Sequence, residues 1–271
     1  MGLFLFFIGL QYYHFYIFIV NTANMKPVWV LLVSLAFFSM TAVAQTRTTA
    51  YTIKSLDGIP KKISLTDGGP VAGEVLRITC GSSKVSINNY WAPEKVSVLK
   101  NCFLEIKYAQ RGGSCVGIGY TLLICVDKDK IVMSCLFMDR LTGCGAGEDD
   151  SYAIRSNIIE NKIGTYKMDI YIHNRKTITD PKLGTSYNKH WVNELEYDKA
   201  LHIFRNGYLT LSGSFLITSD SSSKAVKEYV DGKFPIISLQ GPELEADTYF
   251  CIKGNWYEQG QKNYLIKLSS N

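Results

Sequence analysis

Residues 120 to 138 read Tyr-Thr-Leu-Leu-Ile-Cys-Val-Asp-Lys-Asp-Lys-Ile-Val-Met-Ser-Cys-Leu-Phe-Met. Two almost wholly apolar arms flank Asp127-Lys128-Asp129-Lys130, a cluster of turn formers. Arms without polar alternation are buried on both faces, so this hairpin predicts the centre of a β core. With a two- or four-residue loop, Cys125 faces Val132 and Cys135 faces Leu122. The two thiols then point to opposite faces and cannot bridge; an odd-length loop removes that objection.

The same pattern of short runs and turn residues continues on both sides. Upstream, Leu76, Ile78 and Cys80 alternate on one face, and Gly81-Ser82-Ser83 turns the chain into Lys84–Ile87. Val96–Leu99 and Cys102–Tyr108 read as the next strands, and Arg111-Gly112-Gly113-Ser114 as a turn. Downstream, Gly143–Asp150 reads as a small acidic loop. Ser151–Ile163 fits helix or strand, and its β surroundings favour strand. Thr165–His173 puts Tyr166, Met168, Ile170 and Ile172 on one face, and Thr177–His190 is turn-rich. Asn206-Gly207, between apolar-rich runs, predicts a type I′ hairpin pairing Phe204 with Leu209 and His202 with Leu211. His202 then reads as a core histidine. A helix is expected after Ser221-Ser222-Ser223, with Ala225, Val226, Tyr229 and Val230 as its stripe and Gly232 as its end. Turn signals every 8 to 12 residues predict a mainly β, antiparallel meander, sandwich or barrel-like domain with that one short helix.

The N-terminus is of another kind. From Met25, Lys26 gives a positive n-region, Val28–Met40 an apolar core, and Ala42-Val43-Ala44 a small-x-small cleavage site. This is a signal peptide over 25–44, leaving Gln45 as the new terminus. Residues 3–20 are also apolar, long enough to reach the lower limit for a membrane-crossing helix. Two readings follow. Residues 1–24 are an over-extended start, or residues 1–44 are retained as a membrane anchor. The expected domain is 45–271, with a sub-boundary near 143–151 if it divides. Export places it in the periplasm or outside the cell.

All 24 acidic residues, every basic residue except Lys26, and all seven cysteines follow Ala44. The charges are interspersed, with no basic stripe for nucleic acid. Up to three disulfides fit an oxidising compartment; buried thiols are the equal alternative. No C-x-x-C, H-E-x-x-H, phosphate loop or dinucleotide fingerprint occurs, and no metal or cofactor is expected. Gly113-Ser114-Cys115-Val116-Gly117 has the form of a nucleophile elbow but lacks the helix that must follow. A nucleophilic Cys115 would need His173 or His190 as base. Glu148-Asp149-Asp150 and the Asp127/Asp129 pair read as solvated turn acids. No catalytic residue is assigned.

Two aromatic clusters remain, Asn88–Pro93 and Tyr187–Trp191, both in turn-rich segments. Tyr90, Trp91, Tyr187, His190 and Trp191 are therefore the candidate binding residues, for a carbohydrate or peptide. The expected function is an exported, non-enzymatic β-rich binding or structural protein of the cell envelope. The alternatives are an envelope hydrolase without a short motif, and an anchored envelope protein retaining residues 1–44.

Overall fold

A computed structural model describes residues 4–10, 13–19, 47–68, 75–110, 116–145, 148–162, 164–179, 182, 184–219, 224–241, 244–260 and 263–270. The chain divides into two units, residues 1–43 and 44–271. In the first, β1 (Phe4–Leu10) and β2 (Tyr13–Ile19) form an antiparallel hairpin. The first apolar run is thus extended, where its length suggested a helix. Phe, Tyr and Ile dominate it, and aromatic and β-branched residues favour strands. Among the described residues no helix is long and apolar enough to cross a membrane. The signal segment 25–44 lies outside the described residues.

The second unit is mainly antiparallel β. A five-stranded sheet contains β3 (Arg47–Lys54), β4 (Pro60–Asp67), β5 (Leu76–Cys80) and β6 (Ser83–Ile87), completed by residues 269–270 against β6. In β5, Leu76, Ile78 and Cys80 are buried on one face as the alternation predicts, and Gly81, at φ 56°, turns the chain back into β6. An eight-stranded meander follows: β7 (Tyr90–Leu99), β8 (Phe103–Gln110), β9 (Gly117–Asp127), β10 (Lys130–Gly145), β11 (Glu148–Lys162), β12 (Thr165–Ile178), β13 (Tyr187–Asp198) and β14 (Ile203–Arg205). Each strand pairs with the next. A closed five-stranded barrel then contains β15 (Gly207–Thr218), β16 (Val226–Gly241), β17 (Leu244–Ile252), β18 (Asn255–Gln259) and β19 (Tyr264–Lys267), with β15 and β19 parallel at the closure. The chain ends in β20 (Ser269–Ser270), the strand already met beside β6.

The central hairpin is β9–β10, and Leu122 to Val126 are all buried. Its loop is the two-residue Lys128-Asp129, so Cys125 faces Val132 as expected. A bulge at Ser134 then shifts the register, and Cys135 faces Leu123 rather than Leu122. One face of the hairpin packs on the barrel. Trp256 Nε1–H donates to the Met133 carbonyl at 2.9 Å, Tyr120 donates to Glu258 at 3.0 Å, and the Met138 N–H donates to Tyr249 at 3.1 Å. Five cysteines, Cys80, Cys102, Cys125, Cys135 and Cys251, are buried and free, so the multiple disulfides allowed by the count are not formed among them.

Four local expectations are corrected. Residues 143–145 and 148–150 belong to β10 and β11, which pair from Arg140–Ala153 to Gly145–Glu148; the acidic segment is strand, not open loop. The expected helix after Ser221 is instead the start of β16. Val226 and Tyr229 are exposed at 58% and 71% while Val230 is buried, so no single apolar stripe exists. Val and Tyr favour strands, and β15 supplies the backbone partners. Ser221–Ser223 lie outside the described residues. Asn206-Gly207 makes no hairpin: β14 pairs back to β13, while β15 pairs with β16. Asn206 instead bonds across to β16. Its Nδ2 donates to the Ser238 carbonyl at 2.7 Å, and its Oδ1 accepts from the Ser238 N–H at 2.9 Å. His202 therefore does not share a face with Leu209 and Leu211. It sits in the β13–β14 turn at φ 57°, half-buried, with Nδ1 3.3 Å from the Tyr197 hydroxyl. Tight turns with two positive φ angles fall at Lys100-Asn101 (50° and 58°) and Lys253-Gly254 (51° and 78°), the geometry of type I′.

Candidate functional site

Sheet twist and the β10 bulges roll the eight-stranded meander on itself. Phe103 on β8 lies edge-on to Tyr166 of β12 at 4.9 Å and 5.7 Å from Phe204 of β14. Ser156 of β11 donates to Glu105 of β8 at 3.2 Å, past two intervening strands. Such contacts need a concave inner face.

Register assigns the residues of that face to rows across β11, β12 and β13. Deepest is Ile158–Met168–Leu195, then Ser156–Ile170–Asn193, Ile154–Ile172–Trp191, Tyr152–Asn174–Lys189, and, at the rim, position 150–Lys176–Tyr187. Apolar rows, Ile158–Met168–Leu195 and Ile154–Ile172–Trp191, alternate with rows that carry polar groups, Ser156 and Asn193 in one, Asn174 and Lys189 in the next. Apolar surface with a few placed polar groups is the composition that small-ligand sites use.

Two carboxylates reach the same face from β8 and β10. Glu105 is buried and accepts from Ser156. Asp139, also buried, sits at the second β10 bulge, where Thr121 donates to its Oδ2 at 2.6 Å and Lys107 Nζ lies 3.4 Å away. Gly119 keeps room for this carboxylate, since a Cβ there would stand 2.8 Å from Asp139 Oδ1. Asn174, 3% exposed, has its Oδ1 buried without a hydrogen-bond partner. A buried amide oxygen without a partner costs about 1–3 kcal/mol, which a polar ligand atom or a water would recover.

The five candidate residues do not form one patch. Tyr187 and Trp191 share the concave face, two rows apart and half-buried; both are in strand β13, not in a loop. His190, between them, points to the opposite face. It stacks on His173 with centroids 4.5 Å apart. Tyr90 and Trp91 open β7, at the other edge of the sheet. Tyr90 is buried, 5.8 Å from Tyr108, and donates to Asp67 at 3.4 Å. Burial and that carboxylate push its hydroxyl ionisation up. Trp91 is half-buried on the edge strand. Asn174, Glu105 and Asp139 were missed as site residues. Glu105 and Lys107 did carry a signal: charges at alternate positions opposite Leu104, Ile106 and Tyr108.

Burial disfavours the thiolate form of the described free cysteines. Burial pushes Cys125 and Cys251 up to about 12, and Cys135 also well above an ordinary thiol. Cys115, in the elbow-like stretch Gly113–Gly117, lies outside the described residues. So do the side chains of the 148–150 acids. Among the described residues no three His, Cys, Asp or Glu side chains converge as a metal set. The chain matches no family model, no curated protein and no solved structure.

Proposed function

We propose that this chain is an exported, non-enzymatic binding protein of the cell envelope, taking a small polar ligand on the concave face of the rolled sheet. The unpartnered Asn174 Oδ1, set between the Trp191 row and the Tyr187 rim, carries the reading. A sugar suits it best. Aromatic faces cover C–H surfaces, and amide, lysine and carboxylate groups meet hydroxyls. A short peptide is the second ligand class. Export rests on the Met25 signal and cleavage after Ala44; retention of 1–44 would make the protein an anchored one, and intact mass of the native protein distinguishes them. The test of binding is calorimetric titration with panels of oligosaccharides and peptides. Saturable binding to one panel, weakened about tenfold or more by Trp191→Ala, supports the reading. No binding to either panel, or binding indifferent to Trp191→Ala, overturns it.

One observation favours a hydrolase as the second reading: Glu105 and Asp139 are two buried carboxylates on the same face. Against it, each already holds a hydrogen bond from a neighbouring hydroxyl. Turnover of any bound ligand, abolished by Glu105→Gln or Asp139→Asn, would decide for the enzyme.

A further inference from the structure

The outer face of β12–β13 carries a second constellation, independent of the concave face. His173 and His190 are directly opposed across the antiparallel pair. Their rings stack at 4.5 Å with planes 8° apart. Asn188, two residues before His190 and so on the same face, holds its Oδ1 2.6 Å from His173 Nε2. His190 and Asn188 are exposed and His173 is half-buried, so solvent reaches the group. Two strands fix the backbone of all three donors.

We propose that His173, His190 and Asn188 form a surface site for a divalent transition-metal ion. Imidazole is the ligand that Cu²⁺, Ni²⁺ and Zn²⁺ share. Two nitrogens each bound at about 2.0–2.1 Å lie roughly 3–4 Å apart, a span that rotation of two opposed rings about Cβ–Cγ provides. The Asn188 carbonyl is within reach as a third donor, and water completes the shell. Ser151, Ala153, Arg155, Tyr171, Arg175 and Val192 are the neighbours on this face, and Arg140, ion-paired to Glu94, continues the His173–His190 row on β10. On β11, β12 and β13 no carboxylate stands in that row or in the rows on either side of it. The Arg155 and Arg175 guanidiniums oppose a cation, so binding depends on direct nitrogen coordination. That favours Cu²⁺, the strongest binder of nitrogen ligands in the divalent series.

The test is titration of the full chain with Cu²⁺ by calorimetry, with electron paramagnetic resonance of the loaded protein. The expected result is one saturable ion per chain, nitrogen hyperfine structure from two imidazoles, and a loss of affinity of about tenfold or more in His173→Gln and His190→Gln alike. His202→Gln leaves uptake unchanged. The resonance spectrum of the unsubstituted chain reads the ligands even if a variant fails to fold. No saturable uptake, a spectrum without two equivalent nitrogens, or uptake that survives His173→Gln/His190→Gln overturns the proposal.

Discussion

Ser156 on β11 donates a hydrogen bond to Glu105 on β8 at 3.2 Å, although β9 and β10 lie between them in the sheet. The bond exists only because the sheet is rolled, so it reports on the roll itself. Ser156→Ala removes one bond to a buried carboxylate and is expected to cost about 1–3 kcal/mol. A shift of the urea midpoint without a change of slope is the expected outcome. No shift would mean that the two strands are not held together in solution as described.

Asn206 and Gly207 give the second prediction. A type I′ hairpin needs positive φ at both residues, and Gly207→Ala would then be strained. Here neither residue has a positive φ, and a Cβ on Gly207 would meet Ile236 at an ordinary 3.4 Å. Gly207→Ala is therefore expected to change stability by less than about 0.5 kcal/mol, as do substitutions away from strained or buried features. Asn206→Ala loses two bonds to Ser238 and is expected to cost about 1–3 kcal/mol. Thermal melts of the two variants measure the contrast, and the reverse order would restore the hairpin.

This pair also shows where sequence reading stops. The β9–β10 hairpin was legible because both arms are apolar on both faces, a pattern few other structures satisfy. Asn206-Gly207 was a strong local signal, but the choice between folding back and crossing to β16 is made by the Ser238 backbone, far away in sequence. The segment from Ala225 to Val230 reads as helix because four apolar positions in a short window fit either period. Glu105 and Lys107 alternate with Leu104, Ile106 and Tyr108, and alternation shows that two faces differ, not which one faces water. Tyr187 and Trp191 stand out in the sequence as an aromatic cluster in a turn-rich segment; only the β12–β13 register shows that His190 turns the other way.

The buried thiols predict alkaline behaviour. Cys125 and Cys251 are held up to about 12 by burial, whereas an unfolded cysteine ionises near about 8.5. Unfolding therefore releases protons above that pH. Their contribution to stability is complete below about pH 8.5 and is lost as pH rises toward 12. Buried Tyr108 and Tyr197, both raised by burial, add to the same trend at higher pH. Urea midpoints are expected to be flat from about pH 7 to 8 and to fall steadily above about pH 9. At about pH 8 the native protein should leave Cys80, Cys102, Cys125, Cys135 and Cys251 unmodified by a thiol reagent, and all five should react in denaturant. Prompt modification of any of them in the native state, located by peptide mapping, would contradict the burial.

Asp198 governs the acid side at the junction of the rolled sheet and the barrel. Its Oδ1 accepts from the Ala200 and Leu201 N–H groups, and its Oδ2 from Arg205 Nε at 3.0 Å and Tyr208 at 2.8 Å. Burial pulls this carboxyl up, but the bonds from Arg205, Tyr208 and the two backbone N–H groups outweigh it and leave it below its ordinary value. A carboxyl lowered by folding stabilises above its unfolded value of about 3.9 and loses that contribution as pH falls through the lower folded value. Asp198→Asn keeps the shape, loses the charge, and is expected to cost about 1 kcal/mol at neutral pH. The variant and the parent should then converge as pH drops below about 4, because the parent's carboxyl is neutral there too. Urea midpoints from about pH 7 to 3 measure the gap, and a gap that stays constant through acid would show that the charge of Asp198 contributes nothing to this joint.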